Sequence, residues 1–286
     1  MTSAQSLLFV FGLGYTATQL ALRLKSAGWR VAGTVRSEEK AARLRANGIE
    51  AQVWAGDGPA LVPDGAHWLI TVPPDSEGCP TLRAVGGQAG TAASVTYLST
   101  TGVYGDLRGG WAFEDSEVNP GSARAEARVR AETQWLDATG GAARLVRLPG
   151  IYGPGRSPFE RLRAGTAQRI VKPGQVFSRV HVDDIASGIE ALLARPDAAG
   201  VFHLCDDLPA PPQDVTAFAA ELLGVTVPPE VAIEDAALSA MAMSFYAECK
   251  RVSNARAKAA LGWRPRYPTY REGLAAILDA ERIESP

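Results

Sequence analysis

The amino-acid sequence predicts an α/β protein with a doubly wound parallel sheet and a smaller cap domain nearer the C-terminus. Three observations predict this fold class. Short apolar, β-branched runs alternate with helix-like stretches through residues 1–150, and the helix-like stretches end in glycine. After residue 150 the sequence becomes rich in Gly, Pro and Arg, which is typical of loops. With 286 residues, of which 46% are apolar, the chain is long enough for a large core.

Six apolar runs predict the strands of the sheet. They read LLFVFG, RVAGTVR, EAQVWAG, HWLITVPP, SVTYLST and ARLVRLPG. Between them, TATQLALRLKSAG and EEKAARLRANG place leucine and alanine at helical spacing. Strands that alternate with helices in this way are typical of a parallel sheet covered by crossover helices.

The second half predicts a cap of loops and short helices. Residues 151–286 are assigned mainly to this substrate-binding cap, which includes the helix DVTAFAAELLG and the helix SNARAKAALG. About residues 182–205, the segments DIASGIEALLAR and VFHLC read as a helix and a strand that return to the main sheet.

Composition and charge exclude several classes of function. The formal net charge of −2 does not predict the broad basic field that nucleic acid or an anionic membrane surface requires, so a small-molecule partner is expected. The N-terminal MTSAQSLLFVFGLG has no basic leader, and glycines interrupt its apolar run, so we expect neither a signal peptide nor a membrane span. The three cysteines are scattered without CxxC spacing, and the three histidines lie far apart with no HExxH motif. We therefore expect no disulfide framework and no metal centre, and a reducing, cytoplasmic location.

A glycine motif joins the first strand to the first helix. FVFGLGYTATQL places Gly12, Gly14 and Ala17 in the spacing GxGxxA. In a Rossmann-like fold the first glycine permits the tight turn, the second lets a pyrophosphate approach the backbone, and the small third residue lets the helix pack closely. We therefore predict that residues 1–150 bind a dinucleotide, with Tyr15 and Thr16 at the same helix start. The alternative is a purely structural glycine turn.

The end of the second strand favours NADP(H) over NAD(H). An NAD site of this kind has an acidic residue about 20 positions after the glycines, where it accepts from a ribose hydroxyl. Here Arg36 occupies that position and Ser37 follows. A guanidinium suits a 2′-phosphate, to which a neighbouring hydroxyl can also donate. The alternative is that Arg36 is an exposed strand-end residue without a ligand.

These motifs, with others in order along nearly the whole chain, resemble a known family. The further pieces are AGD at the third strand's end, YLSTTGVYGD, RLPGIYGPG, RVHVDDIASGI and KRVSNARAKAALGWRPRYPTYREGL. Together they resemble the extended short-chain dehydrogenase/reductase superfamily, in its NAD(P)-dependent epimerase/dehydratase branch. The resemblance implies a substrate held between sheet and cap, and a homodimer that pairs through helices next to the active site.

The resemblance also implies roles for residues at the strand ends. It implies contacts with the cofactor for Asp57 beside the adenine, for Thr71, Val72 and Pro73 along the cofactor's path, and for Pro149 with Gly150 at the nicotinamide. Thr100 matches the serine or threonine that hydrogen-bonds a substrate oxygen. Alternatively, Thr100 is an ordinary residue at a strand end whose hydroxyl binds no substrate.

The sequence departs from the family at its YxxxK motif. In relatives, the tyrosine is the acid/base, the lysine lowers its pKa and holds the nicotinamide ribose, and a glutamate lies four residues further on. In SARAEARVRAE, Glu132 is in register, so Arg124 occupies the tyrosine position and Arg128 the lysine position. A guanidinium stays protonated and cannot transfer a proton as a phenol does, although Arg128 could still donate to ribose hydroxyls.

Two interpretations of the arginine pair remain open. Arg124 and Arg128 lie one helical turn apart and repel each other unless an anion sits between them, which favours a phosphate or carboxylate ligand. Alternatively the segment is a solvated helix face. Its (i, i+4) ion pairs would then join Glu126 to Arg130 and Arg128 to Glu132.

The sequence therefore leaves three hypotheses. The first is an NADP(H)-dependent reductase, epimerase or dehydratase acting on a small, nucleotide-sugar-like substrate, with Thr100, Arg124 and Arg128 in the catalytic site. Its proton donor would be Tyr104, Tyr152 or a water molecule. The second is a non-catalytic NADP(H)-binding sensor or regulatory protein, and the third is a binding module that uses no NADP(H).

Overall fold

The computed structural model describes residues 6–56, 58 and 60–284. In this part of the chain the strands are β1 (Leu7–Phe11), β2 (Arg30–Val35), β3 (Glu50–Val53), β4 (His67–Ile70), β5 (Ser94–Thr100), β6 (Trp111–Ala112), β7 (Arg144–Leu148), β8 (Gly150–Tyr152), β9 (Arg169–Val171), β10 (Arg179–His181), β11 (Gly200–His203), β12 (Glu230–Ala232) and β13 (Arg251–Val252). The helices are α1 (Tyr15–Ser26), α2 (Glu38–Ala46), α3 (Pro80–Val85), α4 (Ala123–Ala138), α5 (Phe159–Arg163), α6 (Val182–Leu193), α7 (Pro212–Leu223), α8 (Ala240–Tyr246), α9 (Ala255–Leu261) and α10 (Tyr270–Glu284).

The main sheet is parallel throughout and has seven strands in the order β11-β7-β5-β4-β1-β2-β3. The six strands predicted in the first half are all present, and the first three residues of VFHLC lie in the edge strand β11. The predicted α/β, doubly wound fold class is therefore confirmed.

The strand order reverses beside β1. The chain runs outward from β1 through β2 to β3, and then crosses to β4 on the other side of β1. In open parallel sheets, this reversal leaves a crevice at the carboxyl ends of the two central strands, where ligands bind. The GxGxxA turn follows β1 directly, so it lies in that crevice.

Strand β1 is buried on both faces, which explains its continuous apolar sequence. Leu8 and Val10 pack into one cluster with residues of α1 and α6. Phe9 and Phe11 point to the other face, where Phe11 makes an edge-to-face contact with Trp68. Because side chains alternate across a strand, one run of five apolar residues supplies two cores.

The cap has a core of its own. Phe159 of α5, Ala219 of α7 and Leu274 of α10 belong to a third buried cluster. Three short two-stranded parallel ladders, β8 with β10, β9 with β12, and β6 with β13, lie outside the main sheet. The sequence did not predict these ladders, because two or three residues held by distant partners show no periodicity. The assignment of residues 1–150 and 151–286 to separate domains stays a prediction.

Among the described residues, no helix has the length and apolar character needed to cross a lipid bilayer.

Candidate functional site

The glycine turn after β1 has a geometry that only glycine fits. Gly12 has φ +91°, and a Cβ there would lie 2.8 Å from the Thr71 hydroxyl oxygen and 3.2 Å from a Val72 methyl carbon. Two hydrogen bonds hold the turn, from the Gly12 N–H to the Thr34 hydroxyl at 2.9 Å and from the Gly14 N–H to the Gly12 carbonyl at 2.7 Å. The backbone is therefore fixed and bare where a diphosphate would approach.

The helix start beyond the turn has no group of its own that neutralises its positive end. Gly14 is the N-cap of α1, no side chain caps it, and the first turn of α1 contains no acidic residue. Unsatisfied N–H groups and the helix dipole make such an end favourable for an anion. Ala17 is buried, as close helix packing requires, while Tyr15 and Thr16 are partly exposed.

The strand end beside the turn supports it. The Thr71 hydroxyl donates to the carbonyl of Gly12, and it also lies 3.2 Å from the carbonyl of Phe11. Thr71 thereby joins the end of β4 to the turn after β1. Val72 and Pro73 follow it along the crevice. Val72 is partly buried and Pro73 is exposed.

A loop of the second half lies over the start of α1. The Tyr15 hydroxyl donates to the Pro154 carbonyl at 3.0 Å, and the Arg156 guanidinium lies 4.4 Å from the centre of the Tyr15 ring. Burial raises the pKa of Tyr15 to about 12, so this phenol stays neutral. Arg156 thus adds a positive charge beside the helix start.

The end of β2 carries a group of cations. Arg36 is exposed and its side chain has no hydrogen-bond or ion-pair partner among the described residues. The Ser37 hydroxyl caps α2 by accepting from the Lys40 N–H at 3.4 Å. Burial lowers the pKa of Lys40, and the charges of Arg43 and Arg36 lower it further. The sequence interpretation missed Lys40, although its position one helical turn after Arg36 was a usable signal. Asp57, predicted beside the adenine, lies outside the described residues.

Thr100 and Pro149 lie at the same edge of the sheet. Thr100 ends β5 and pairs with Leu148 of β7, which directly precedes Pro149. The Thr100 hydroxyl accepts from the Gly102 N–H at 3.1 Å, and no described residue accepts its hydrogen. A hydroxyl can both accept and donate, so Thr100 keeps a donor for a ligand oxygen.

Arg128 points inward from α4 to the end of β5. Its Nη1 donates to the Tyr97 hydroxyl at 3.0 Å and to the Leu98 carbonyl at 2.8 Å. The guanidinium has five N–H donors, and no described residue accepts from its Nη2 or Nε. Arg128 therefore anchors α4 to the sheet and still has donors available near Thr100.

Arg124 lies one turn earlier on α4 and is exposed. Its guanidinium carbon is 5.3 Å from the centre of the Phe245 ring, which belongs to α8 in the cap. No acidic side chain pairs with it in the part of the chain that the structure describes. Arg124 and Arg128 thus face different surroundings, one at the cap and one at the sheet.

The predicted ion pair between Arg128 and Glu132 is wrong. Glu132 is buried, and both its oxygens accept from Arg147 of β7. Arg130, the other predicted partner on this face, donates instead to the Ser76 carbonyl. The (i, i+4) spacing was present, but these side chains bind partners on other parts of the chain, a buried arginine for Glu132 and an exposed carbonyl for Arg130. The helix is consequently not a purely solvated face.

The two tyrosines considered as proton donors are also unsuited to that role. Tyr104 is fully buried, and its hydroxyl is held between Arg147 at 2.7 Å and the His203 Nε2 at 2.6 Å. Tyr152 is buried against the cap, with its hydroxyl 3.4 Å from the Thr269 carbonyl. Burial raises the pKa of both phenols, that of Tyr104 to about 12. Neither hydroxyl faces the crevice.

Comparison with known proteins identifies relatives along most of the chain. No protein-family model matches it. The chain is 28% identical over 214 residues to Protein YeeZ of Escherichia coli K12, covering 68% of this chain and 76% of that protein. It is 34% identical over 170 residues to 3-diazoavenalumate denitrifying reductase of Streptomyces sp, covering 54% of each.

Solved structures cover nearly the whole chain. A functionally unknown conserved protein from Silicibacter pomeroyi DSS is 48% identical, covers 97% of this chain and 100% of its own, and gives a TM-score of 0.89. UDP-glucuronic acid 4-epimerase from Bacillus cereus, in complex with NAD, is 16% identical over 96% of each chain, with a TM-score of 0.76. The human epimerase family protein SDR39U1, with NADPH, is 15% identical over 95% of this chain and 99% of its own, with a TM-score of 0.75. The chain therefore belongs to one family with the Silicibacter pomeroyi protein, and it shares its fold with the UDP-glucuronic acid 4-epimerase and the epimerase family protein SDR39U1.

Proposed function

We propose that the chain is an NADP(H)-dependent enzyme of the reductase, epimerase or dehydratase kind, acting on a small substrate held between the sheet and the cap. The observation that carries this proposal is the Gly12 turn, where a positive φ and the nearby Thr71 hydroxyl exclude any side chain. Such a bare turn, followed by an uncapped helix start at a strand-order reversal, suits a dinucleotide diphosphate. Two structures with the same fold hold NAD and NADPH.

The choice of NADP(H) over NAD(H) rests on the cations at the end of β2. Arg36, Lys40 and Arg43 are close enough that the charges of the two arginines lower the pKa of Lys40. Arg43 is paired with Glu39, but no described acidic side chain pairs with Arg36 or Lys40, and like charges repel one another unless an anion neutralises them. A 2′-phosphate on the adenosine ribose is the anion that distinguishes NADP(H), and the Ser37 hydroxyl lies beside it in this proposal.

A bound nicotinamide would donate or accept the hydride, and the residues of this chain would position the reactants. Thr100 donates its unused hydroxyl hydrogen to the substrate oxygen. Arg128 donates to the ribose through the N–H groups that Tyr97 and Leu98 leave unoccupied. Arg124 stabilises negative charge on the substrate, because a guanidinium stays protonated at physiological pH.

Proton transfer in this proposal uses a water molecule. Arg124 cannot act as a general acid or base, and the hydroxyls of Tyr104 and Tyr152 are enclosed in the interior. Positioned donors that stabilise an oxyanion let solvent deliver the proton in a later step. The substrate class that the fold suggests is nucleotide-sugar-like, as in the UDP-glucuronic acid 4-epimerase.

A second function, a non-catalytic NADP(H) sensor, is favoured by one observation. The position of the catalytic tyrosine holds Arg124, and the two tyrosines considered as replacements, Tyr104 and Tyr152, have their hydroxyls enclosed in the interior. In this alternative, bound dinucleotide would change the contact between α4 and α8 and thereby the binding of a partner.

Turnover separates the two functions. The purified chain, saturated with NADPH or NADP⁺, is incubated with a panel of nucleotide sugars. The enzyme hypothesis predicts a change in nicotinamide absorbance or a new product by mass spectrometry. The double substitution Arg124→Tyr with Arg128→Lys is the sharper probe, because gained turnover would show that the scaffold is competent for the family's acid/base chemistry. Dinucleotide binding without turnover in either protein would support the sensor.

Location and assembly complete the proposal. Cys79 and Cys205 are buried free thiols and Cys249 is partly exposed, which fits a reducing cytoplasm. A homodimer follows from the family resemblance. Light scattering after size-exclusion chromatography tests it, and a monomer at micromolar concentration would contradict it.

A further inference from the structure

Helix α8 presents its large apolar side chains to the surface. Met241 is 65% exposed, Met243 42% and Phe245 51%, and none of the seven residues of α8 is buried. A helix usually packs its apolar face against a core. Since α8 does not, its methionines and phenylalanine contribute little to the stability of the cap and are available for another contact.

The C-terminal end of α8 is attached next to the candidate site. Phe245 lies against the guanidinium of Arg124, and the Tyr246 ring makes an edge-to-face contact with Phe177 at 5.3 Å between centres. The Tyr246 carbonyl also accepts a hydrogen bond from Lys172. Phe245 therefore connects α8 to α4 at the position where the family's acid/base tyrosine would stand, while Tyr246 holds the same end of α8 to Phe177 and Lys172.

The contact with Phe245 orients Arg124 without neutralising it. An aromatic ring attracts a cation through its quadrupole but carries no net charge. No described residue accepts a hydrogen bond from the Arg124 guanidinium, so its forked donors remain able to bind a carboxylate in a bidentate way. A second cation, Arg161, lies near enough to Tyr246 to lower its pKa against the effect of burial. Two positive charges therefore lie near the C-terminal end of α8, and the acidic side chain that follows it, Glu248, is already paired with Lys250.

We infer that Arg124 and Phe245 form a substrate-recognition pair for a carboxylate attached to an apolar body, with α8 as a lid over it. Arg124 binds the carboxylate, and Phe245 and Met243 cover the apolar part. Methionine suits this role because its flexible, polarizable side chain adapts to irregular surfaces. The inference rests on the proposed function, because it places the substrate where that function needs it. Among the small substrates of that function, it selects carboxylates with an apolar body rather than nucleotide sugars.

The test compares acids with neutral amides of the same shape. Calorimetry measures the binding of three pairs to the NADP⁺-saturated chain: benzoate and benzamide, 3-phenylpropanoate and 3-phenylpropanamide, and indole-3-acetate and indole-3-acetamide. We expect the acid of at least one pair to bind tenfold or more tightly than its amide. Arg124→Gln should reduce that ratio to within twofold, and Phe245→Leu should weaken binding of the acid at least fivefold.

A matched control separates recognition from folding. Met241→Leu changes an exposed apolar side chain of the same helix that does not contact Arg124, so it should bind the acid as the wild type does. Thermal unfolding of all variants should agree within a few degrees, because the altered side chains are exposed. Equal affinities for acid and amide in all three pairs, absence of binding by every acid, or equal binding by the Phe245 and Met241 variants would each overturn the inference.

The same titrations without NADP⁺ distinguish the two proposals. If the dinucleotide does not bind but the acid still binds more tightly than its amide, the proposed function fails and the recognition pair stands. If the dinucleotide binds and the acids show no preference, the proposed function stands and the recognition pair is wrong.

Discussion

Arg147 of β7 donates to both carboxylate oxygens of Glu132 in α4, from Nε at 3.0 Å and from Nη2 at 2.6 Å. Both side chains are more than nine-tenths buried. The pair fixes the helix that carries Arg124 and Arg128 against the sheet. The positions of Arg124 and Arg128 therefore depend on an ion pair that does not itself belong to the candidate site.

Removal of one partner of this pair should destabilise the fold strongly. Glu132→Gln would leave the buried Arg147 guanidinium uncompensated, and we expect a loss of about 3–5 kcal/mol in the free energy of unfolding. Urea denaturation at pH 7 measures it. Glu39→Gln, in an exposed pair with Arg43, is the control and should change stability by less than about 0.5 kcal/mol. Equal effects of the two substitutions would contradict this account.

The buried pair continues as a chain of hydrogen bonds. The Arg147 Nη1 donates to the Tyr104 hydroxyl, and the His203 Nδ1 lies 2.9 Å from the Ser253 carbonyl. Since a carbonyl only accepts, Nδ1 carries the hydrogen, and Tyr104 donates to Nε2 of a neutral imidazole. Burial of His203 lowers its pKa from 6.5 to about 4.

Stability should therefore fall as the pH drops from 6.5 towards 4. Below pH 6.5 the unfolded chain binds a proton at His203, whereas the folded chain binds it only near pH 4. Protonation therefore favours the unfolded state. We expect His203 to account for a loss of about 2 kcal/mol between pH 7 and pH 5. Urea denaturation of the wild type and of His203→Gln at both values measures the difference. The variant should be less stable at pH 7 but lose less on acidification, and parallel losses would show that His203 is not the responsible group.

Gly12→Ala should abolish dinucleotide binding. The new Cβ would lie 2.8 Å from the Thr71 oxygen, in a backbone conformation with φ +91° that alanine rarely adopts. Gly224→Ala is the matched control, because Gly224 has φ +68° but open space around it. We expect the control to cost about 1 kcal/mol in stability without change in NADPH affinity. Thermal unfolding with and without NADPH measures both stability and binding. If NADPH raised the unfolding temperature of the two variants equally, the Gly12 turn would not be the dinucleotide site.

The cations at the end of β2 should determine the choice of cofactor. Replacing Arg36 and Lys40 together by alanine would remove two charge-assisted contacts with the 2′-phosphate, each worth about 1.5–3 kcal/mol. We expect NADPH to bind more weakly by about a hundredfold or more while NADH changes less than twofold, measured by fluorescence titration. Arg282→Ala, an exposed arginine of α10, should alter neither. Equal losses of affinity for NADPH and NADH would show that these cations do not bind the 2′-phosphate.

The sequence was sufficient for the sheet because its apolar strands are regularly separated by helices. LLFVF and RVAGTV carry enough apolar residues to predict buried parallel strands, and glycine marked the turn after β1. Short ladders such as β13 with β6 depend on partners far along the chain, so no local pattern indicates them.

The surroundings of the two arginines could not be predicted from local spacing. The (i, i+4) rule paired Arg128 with Glu132, but Arg147 and Tyr97 come from strands and offer buried partners. In the same way, nothing in the sequence places Phe245 beside Arg124. The two residues lie 121 positions apart and meet only because the cap folds over α4. Local rules describe a free helix, whereas here the tertiary environment determines the partners.

The central claim is that the bare turn at Gly12 and the start of α1 bind a nicotinamide dinucleotide, and calorimetric titration of the purified chain with NADPH tests it most directly. The account predicts saturable binding with one dinucleotide per chain, stronger than that of NADH, and a stabilisation of about 2.7 kcal/mol at a hundredfold excess over the Kd. Absence of binding heat, together with an unchanged unfolding temperature for both dinucleotides, would contradict it.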